Sequence, residues 1–145
     1  MEIQTRHAAL CLIQRGDRFL ISEMIDPHTG AALRRPPGGG MEPGETPEQA
    51  VRRELREELD IDIGELQSLG PVDHVWFWKG REIHERAWLF LGNSSCDGRL
   101  ARGDTPDIIE PDGDHFTTVW LTLAEAAAGP PKLCPPLPKE VLGAS

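Results

Sequence analysis

Three carboxylates open the reading of this chain. Glu54, Glu57 and Glu58 follow a run of glycines, Gly38-Gly39-Gly40, and stand at positions i, i+3 and i+4. On a helix that spacing places them on one face, with neighbouring Cβ atoms about 5–6 Å apart. Acids so close repel one another unless positive charge sits among them. A hard divalent cation that prefers oxygen ligands meets that need: Mg2+, with Mn2+ as the alternative. The plainer reading is a solvated acidic face paired with Arg52, Arg53 and Arg56. The glycine loop in front favours the metal.

The elements that must hold these acids are well signalled. Thr46 suits a helix N-cap, Pro47 the first helical position, and Gln49 completes a capping box. Ala50, Val51, Leu55 and Leu59 form an apolar stripe, leaving the glutamates turned partly away. Upstream, His7–Gln14 reads as a buried strand and Arg18–Ile25 as its hairpin partner across Gly16-Asp17. Leu33–Pro37 is short and extended, its prolines unfit for a central strand. Downstream, Val72–Trp78 and Glu85–Leu91 read as strands around Lys79-Gly80-Arg81. Asn93–Asp114 reads as a long loop and Phe116–Leu121 as a last strand. Thr122 caps a short helix through Ala128, before a proline-rich tail over residues 129–145. The order points to an α+β or α/β fold with a mixed sheet.

Residues 39–61 resemble the Nudix box, G-x5-E-x7-R-E-U-x-E-E-x-G-U, where U is bulky and aliphatic. Gly39, Glu45, Arg53, Glu54, Leu55, Glu57, Glu58 and Ile61 match; Asp60 stands in place of the last glycine. The change falls where the helix should end, and aspartate tolerates left-handed backbone better than most residues. The resemblance implies an α/β/α sandwich. It also implies hydrolysis of a phosphoric anhydride in a nucleoside diphosphate linked to another moiety, by in-line attack of metal-activated water. By the same resemblance Glu54, Glu57 and Glu58 bind metal, a carbonyl of Gly38 or Gly39 adds a ligand, and Glu45 and Arg53 brace the loop and helix.

Family members take their general base from the box or from an acid downstream. Glu85 is the first candidate here, because a strand fixes position better than a loop. Glu110, Asp112 and Asp114 are the loop candidates, and Glu58 the one within the box. Arg34 and Arg35 are candidates for substrate phosphate, against a reading as edge charges. Trp76 and Trp78 share one strand face and Phe77 the other, so Trp76 and Trp78 either stack on a nucleobase or serve as core. The five histidines show no metal-ligand spacing.

At 145 residues and net charge −9, one domain is expected, burying roughly 70% of its unfolded surface. Nucleic-acid polymers are unexpected partners, since backbone binding needs clustered Lys and Arg; a small nucleotide reached through cations is the expected one. No apolar run approaches the roughly 20 residues that span a bilayer. Cys11, Cys96 and Cys134 form no disulfide pattern, and Met1–Arg6 lacks signal-peptide character, so a cytoplasmic monomer or homodimer is expected. Two other classes remain. A silent nucleotide sensor on the same fold would tend to lose its acids. A relative of isopentenyl-diphosphate isomerase would need a cysteine and a glutamate paired in the pocket.

Overall fold

The computed structural model describes residues 4–138 and 141. Its centre is β1 (Arg6–Arg15), which turns at Gly16 (φ 62°) into the antiparallel β2 (Arg18–Ile25). The β1 run Ala-Ala-Leu-Cys-Leu-Ile is apolar throughout because both its faces are covered. Ala9, Cys11 and Ile13 face one core, shared with Ala50, Val51, Leu55 and Leu59 of α1 (Pro47–Leu59). Leu10 and Leu12 face a second core, shared with Leu123 and Ala126 of α3 (Leu123–Ala127). A mixed sheet thus lies between two helical layers, the α/β/α sandwich anticipated from the box.

The long hairpin of β5 (Gln67–Trp78) and β6 (Arg81–Asn93) joins the sheet through β6, which runs parallel to β1 from Arg6↔Glu85 to Gln14↔Asn93. On the other side, β2 pairs with β3 (Ala32–Arg35) and with β8 (His115–Leu121). Strand β3 stops at Arg35 because Pro36 and Pro37 have no N–H to continue a ladder; the Pro37 carbonyl accepts from Cys11 N at 2.8 Å.

The cap expected at Thr46 is present: its side chain accepts from Gln49 N at 3.2 Å, and Gln49 Oε1 accepts from Thr46 N at 2.9 Å. The helix ends on Asp60 in left-handed backbone (φ 54°, ψ 46°), where its N–H donates to the Arg56 carbonyl. Asp60 therefore does the work of the missing glycine.

Three stretches are more ordered than the sequence suggested. Gly38–Gly40 forms β4, antiparallel to Ala8–Leu10 of β1. The supposed loop 93–114 holds a 3-10 turn (Ser94–Cys96), α2 (Gly98–Ala101) and β7 (Ile108–Ile109), which pairs with β8. In the proline-rich tail, β9 (Lys132–Leu133) pairs in parallel with β3, and Leu133 and Leu137 are buried; residues 139–140 and 142–145 of that tail lie outside the described residues. Among the described residues no helix is long and apolar enough to cross a membrane.

Candidate active site

The loop is pressed against β1 at Gly38 and against the helix at Gly39. A Cβ on Gly38 (φ 138°) would lie 2.1 Å from the Ala9 carbonyl oxygen, and one on Gly39 would lie 2.8 Å from Glu54 Oε2. Glu58 Oε1 accepts from Gly38 N at 2.9 Å. Arg53 fastens the rest. Its guanidinium reaches Glu45 at 2.7 and 2.9 Å, the Gly40 carbonyl at 3.0 Å, Glu54 Oε1 at 3.0 Å and Glu57 Oε2 at 3.2 Å. Hydrogen bonding from Arg53 holds the Glu45 carboxyl at about 2. The bidentate fork that Arg53 presents to Glu45 is one that a lysine cannot reproduce.

This unit forms one wall of a cavity of about 730 Å³. Glu54 and Glu58 of α1 and Glu110, from the turn after β7, make an acidic side. Arg6, Arg35, Lys79 and Arg81 supply positive charge around it, and Trp76, Trp78 and Phe116 an aromatic flank. Burial raises the Glu58 carboxyl well above the usual carboxylate range, and the facing Glu110 and nearby Glu54 raise it further. Burial likewise raises Glu54, although Arg53 opposes the effect. Acids that resist ionisation for want of a cation are a suitable donor set for a hard metal ion. Among the described residues, however, no three His, Cys, Asp or Glu side chains already surround one point. Glu57 is turned outward against Arg53 with its side chain 55% exposed, and does not line the cavity. Glu54 and Glu58 line the cavity with oxygens that suit such an ion, whereas Glu57 lies outside it, paired with Arg53.

The two arginines proposed for substrate part company, because neighbours on a strand point to opposite faces. Arg35 lines the cavity, its guanidinium 4.5 Å from the Trp76 ring centroid. Arg34 is absent from the cavity wall and pairs with Glu23 at 3.2 Å and the Glu125 carbonyl at 3.3 Å. Trp76 is buried, with Arg35 over its ring, so that face is unavailable for stacking. Its Nε1 has no hydrogen-bond partner among the described residues. Trp78, only partly buried and set edge-on to Phe116, is the better stacking surface. Phe77 is 61% exposed on the opposite face, as strand alternation requires.

Glu85 occupies a place that strand alternation could not foretell. It is fully buried behind the cavity wall, bonded to Arg35 at 2.9 Å and His74 at 2.9 Å, with Arg6 at 3.5 Å. Burial pushes its carboxyl upward, but His74, Arg35 and Arg6 outweigh this and hold it at about 2. A carboxylate so engaged is a poor proton acceptor, and the geometry turns the reading of Glu85 from general base to anchor for Arg35. Sequence reading passed over Arg6, Lys79 and Arg81 as cavity residues. Only the folded hairpins bring them in.

A glycine loop braced against an acid-bearing helix, inside an α/β/α sandwich, defines a Nudix-type fold. The model of the NUDIX domain matches residues 4–141, and the chain belongs to this family, as a pyrophosphohydrolase. It is 32% identical over 115 residues to an 8-oxo-dGTP diphosphatase of Escherichia coli, covering 68% of this chain and 84% of that protein. It is 29% identical over 107 residues to an RNA pyrophosphohydrolase of Photobacterium profundum, covering 63% of this chain and 59% of that protein. Among solved structures, a MutT NUDIX hydrolase from Burkholderia pseudomallei superposes with a TM-score of 0.61 at 30% identity, covering 83% and 85% of the two chains.

Proposed function

We propose that the chain, acting as one domain, hydrolyses a phosphoric anhydride bond of a small nucleotide, a nucleoside triphosphate or a base-modified form of one. The carrying observation is the polarity of the cavity: part-buried Glu54 and Glu58 share one lining with Arg6, Arg35, Lys79 and Arg81, with Trp78 alongside. The likeness to an 8-oxo-dGTP diphosphatase over most of that protein supports the substrate class.

A divalent ion held by Glu54, Glu58 and a released Glu57, with a carbonyl of Gly38 or Gly39, would neutralise phosphate charge and make water a better nucleophile. The chain's own groups do the rest. Glu110, beside Glu58 on the acidic side of the cavity, accepts the proton of the attacking water. Arg6, Arg35 and Arg81 offer positive charge to the phosphates, and Arg35 is kept in place by Glu85. Trp78 presents a face to the base, an interaction commonly worth about 1–3 kcal/mol.

The silent-sensor alternative is disfavoured by the complete acid set, and the isomerase alternative by the cysteines. Burial pushes the Cys11 thiol up to about 12, and none of the three cysteines lines the cavity. The deciding experiment incubates purified protein with Mg2+ or Mn2+ and a panel of plain and oxidised nucleoside triphosphates, ADP-ribose, dinucleoside polyphosphates and 5′-triphosphorylated RNA. Products are resolved by anion-exchange chromatography. Release of pyrophosphate or phosphate from a triphosphate, abolished by EDTA, is the expected result. Nucleotide binding without turnover would replace the enzyme reading with the sensor, and turnover only of the RNA would move the substrate to RNA 5′ ends.

A further inference from the structure

Lys79 stands at the tip of the β5–β6 hairpin in left-handed backbone, φ 52°. Buried Asp26 holds it there: Asp26 Oδ2 accepts from Lys79 N at 2.7 Å while Oδ1 accepts from His28 N at 2.8 Å. From this anchored position the ammonium crosses the rim of the cavity to the turn between β7 and β8. It lies 2.7 Å from Asp114 and 3.2 Å from Asp112. Among the described residues no other basic side chain forms an ion pair with residues 110–114. The turn itself is tight. Glu110 N donates to the Asp114 carbonyl at 2.8 Å, Gly113 N to the Glu110 carbonyl at 2.9 Å, and Asp114 N to Asp112 Oδ1 at 3.0 Å. A pull on either aspartate therefore moves Glu110.

Glu110 needs such a restraint. Its carboxyl lines the cavity with Glu54 and Glu58, at the head of an exposed turn whose backbone bonds are internal. We propose that Lys79 is a positioning residue for turnover, clamping the 110–114 turn to the β5–β6 hairpin so that Glu110 stays on the acidic wall. The clamp rests on the reading of Glu110 as proton acceptor. A single exposed ion pair is weak, but here the backbone of the lysine is fixed and two carboxylates share its head. Displacing a reacting group by about 1 Å can cost about a hundredfold in rate.

The test compares Lys79→Met, Lys79→Arg, the pair Asp112→Asn with Asp114→Asn, and all three neutral changes together. Steady-state kinetics use whichever triphosphate the wild type turns over, and amide hydrogen exchange is followed at Glu110 and Gly113. Thermal melting checks that each variant is folded. The expected result is a kcat lowered at least about tenfold in Lys79→Met with KM within about threefold, and recovery in Lys79→Arg. The aspartate pair should match that loss, the combined variant should add nothing further, and exchange at both amides should quicken. A raised KM with unchanged kcat would make Lys79 a phosphate contact and overturn the clamp. So would unchanged amide exchange in a folded Lys79→Met, or normal turnover in Glu110→Gln. Absence of any turnover by the wild type would instead refute the enzyme reading itself, while the exchange measurement would still judge the tether.

Discussion

Replacing Glu85 by Gln tests how the cavity wall is built. The substitution keeps the shape but removes the charge that Arg35, Arg6 and His74 surround. Holding the buried carboxyl at about 2 instead of the ordinary 4.5 is worth on the order of 3 kcal/mol, at about 1.4 kcal/mol per pKa unit. That agrees with the roughly 3–5 kcal/mol usual when one partner of a buried ion pair is removed. The sign follows from the direction of the shift. A carboxyl depressed in the folded state binds protons less tightly there than in the unfolded chain. Its contribution is therefore complete above the unfolded value near 4.5 and is lost as pH falls towards 2. Urea unfolding of wild type and Glu85→Gln should differ by about 3 kcal/mol at pH 7, and the gap should narrow by roughly 1–1.5 kcal/mol at pH 3.5. For turnover, the variant should keep the acidic limb of its pH–rate profile, because Glu85 anchors Arg35 and does not accept the proton. A difference below about 1 kcal/mol at pH 7, or a gap unaffected by acid, would refute the anchoring account. Loss of the acidic limb would return Glu85 to the role of base.

Glu57→Gln should stay folded, since its side chain is half exposed, yet lose at least about a hundredfold in kcat at saturating Mg2+, as read by product release. Arg34→Met should leave kcat and KM nearly unchanged because Arg34 points to Glu23, away from the cavity; a tenfold rise in KM would restore it as a phosphate contact. Gly38→Ala should lower the melting temperature sharply, because its Cβ would overlap the Ala9 carbonyl in a backbone conformation that alanine resists. Equal melting curves would show that β4 is not held as described.

Local rules made much of the box readable. Thr46, Pro47 and Gln49 announce a cap whose partners lie within three residues, and Asp60 announces a left-handed stop. The apolar run of β1 likewise carries its own burial. What escaped reading depends on contacts distant in sequence. Nothing near Gly38–Gly40 indicates a strand, since its order comes from pairing with Ala8–Leu10. Glu85 looks like any strand acid until the fold brings in Arg35, fifty positions away. Arg34 and Arg35 are one residue type side by side, and strand register alone decides which meets the cavity. The short helix at Gly98–Ala101 has too few residues for periodicity to show. It is fixed by its Asp97 cap and by burial of Leu100.

The many-handed grip of Arg53 has a consequence for motion. One guanidinium ties the Gly40 carbonyl and Glu45 in the loop to Glu54 and Glu57 on the helix. Lifting the loop therefore breaks its bonds to the middle of α1, and unwinding α1 as far as Arg53 releases the loop. Residues 39–59 should open to solvent as one cooperative unit with a shared free energy, in place of a flexible loop beside a stable helix.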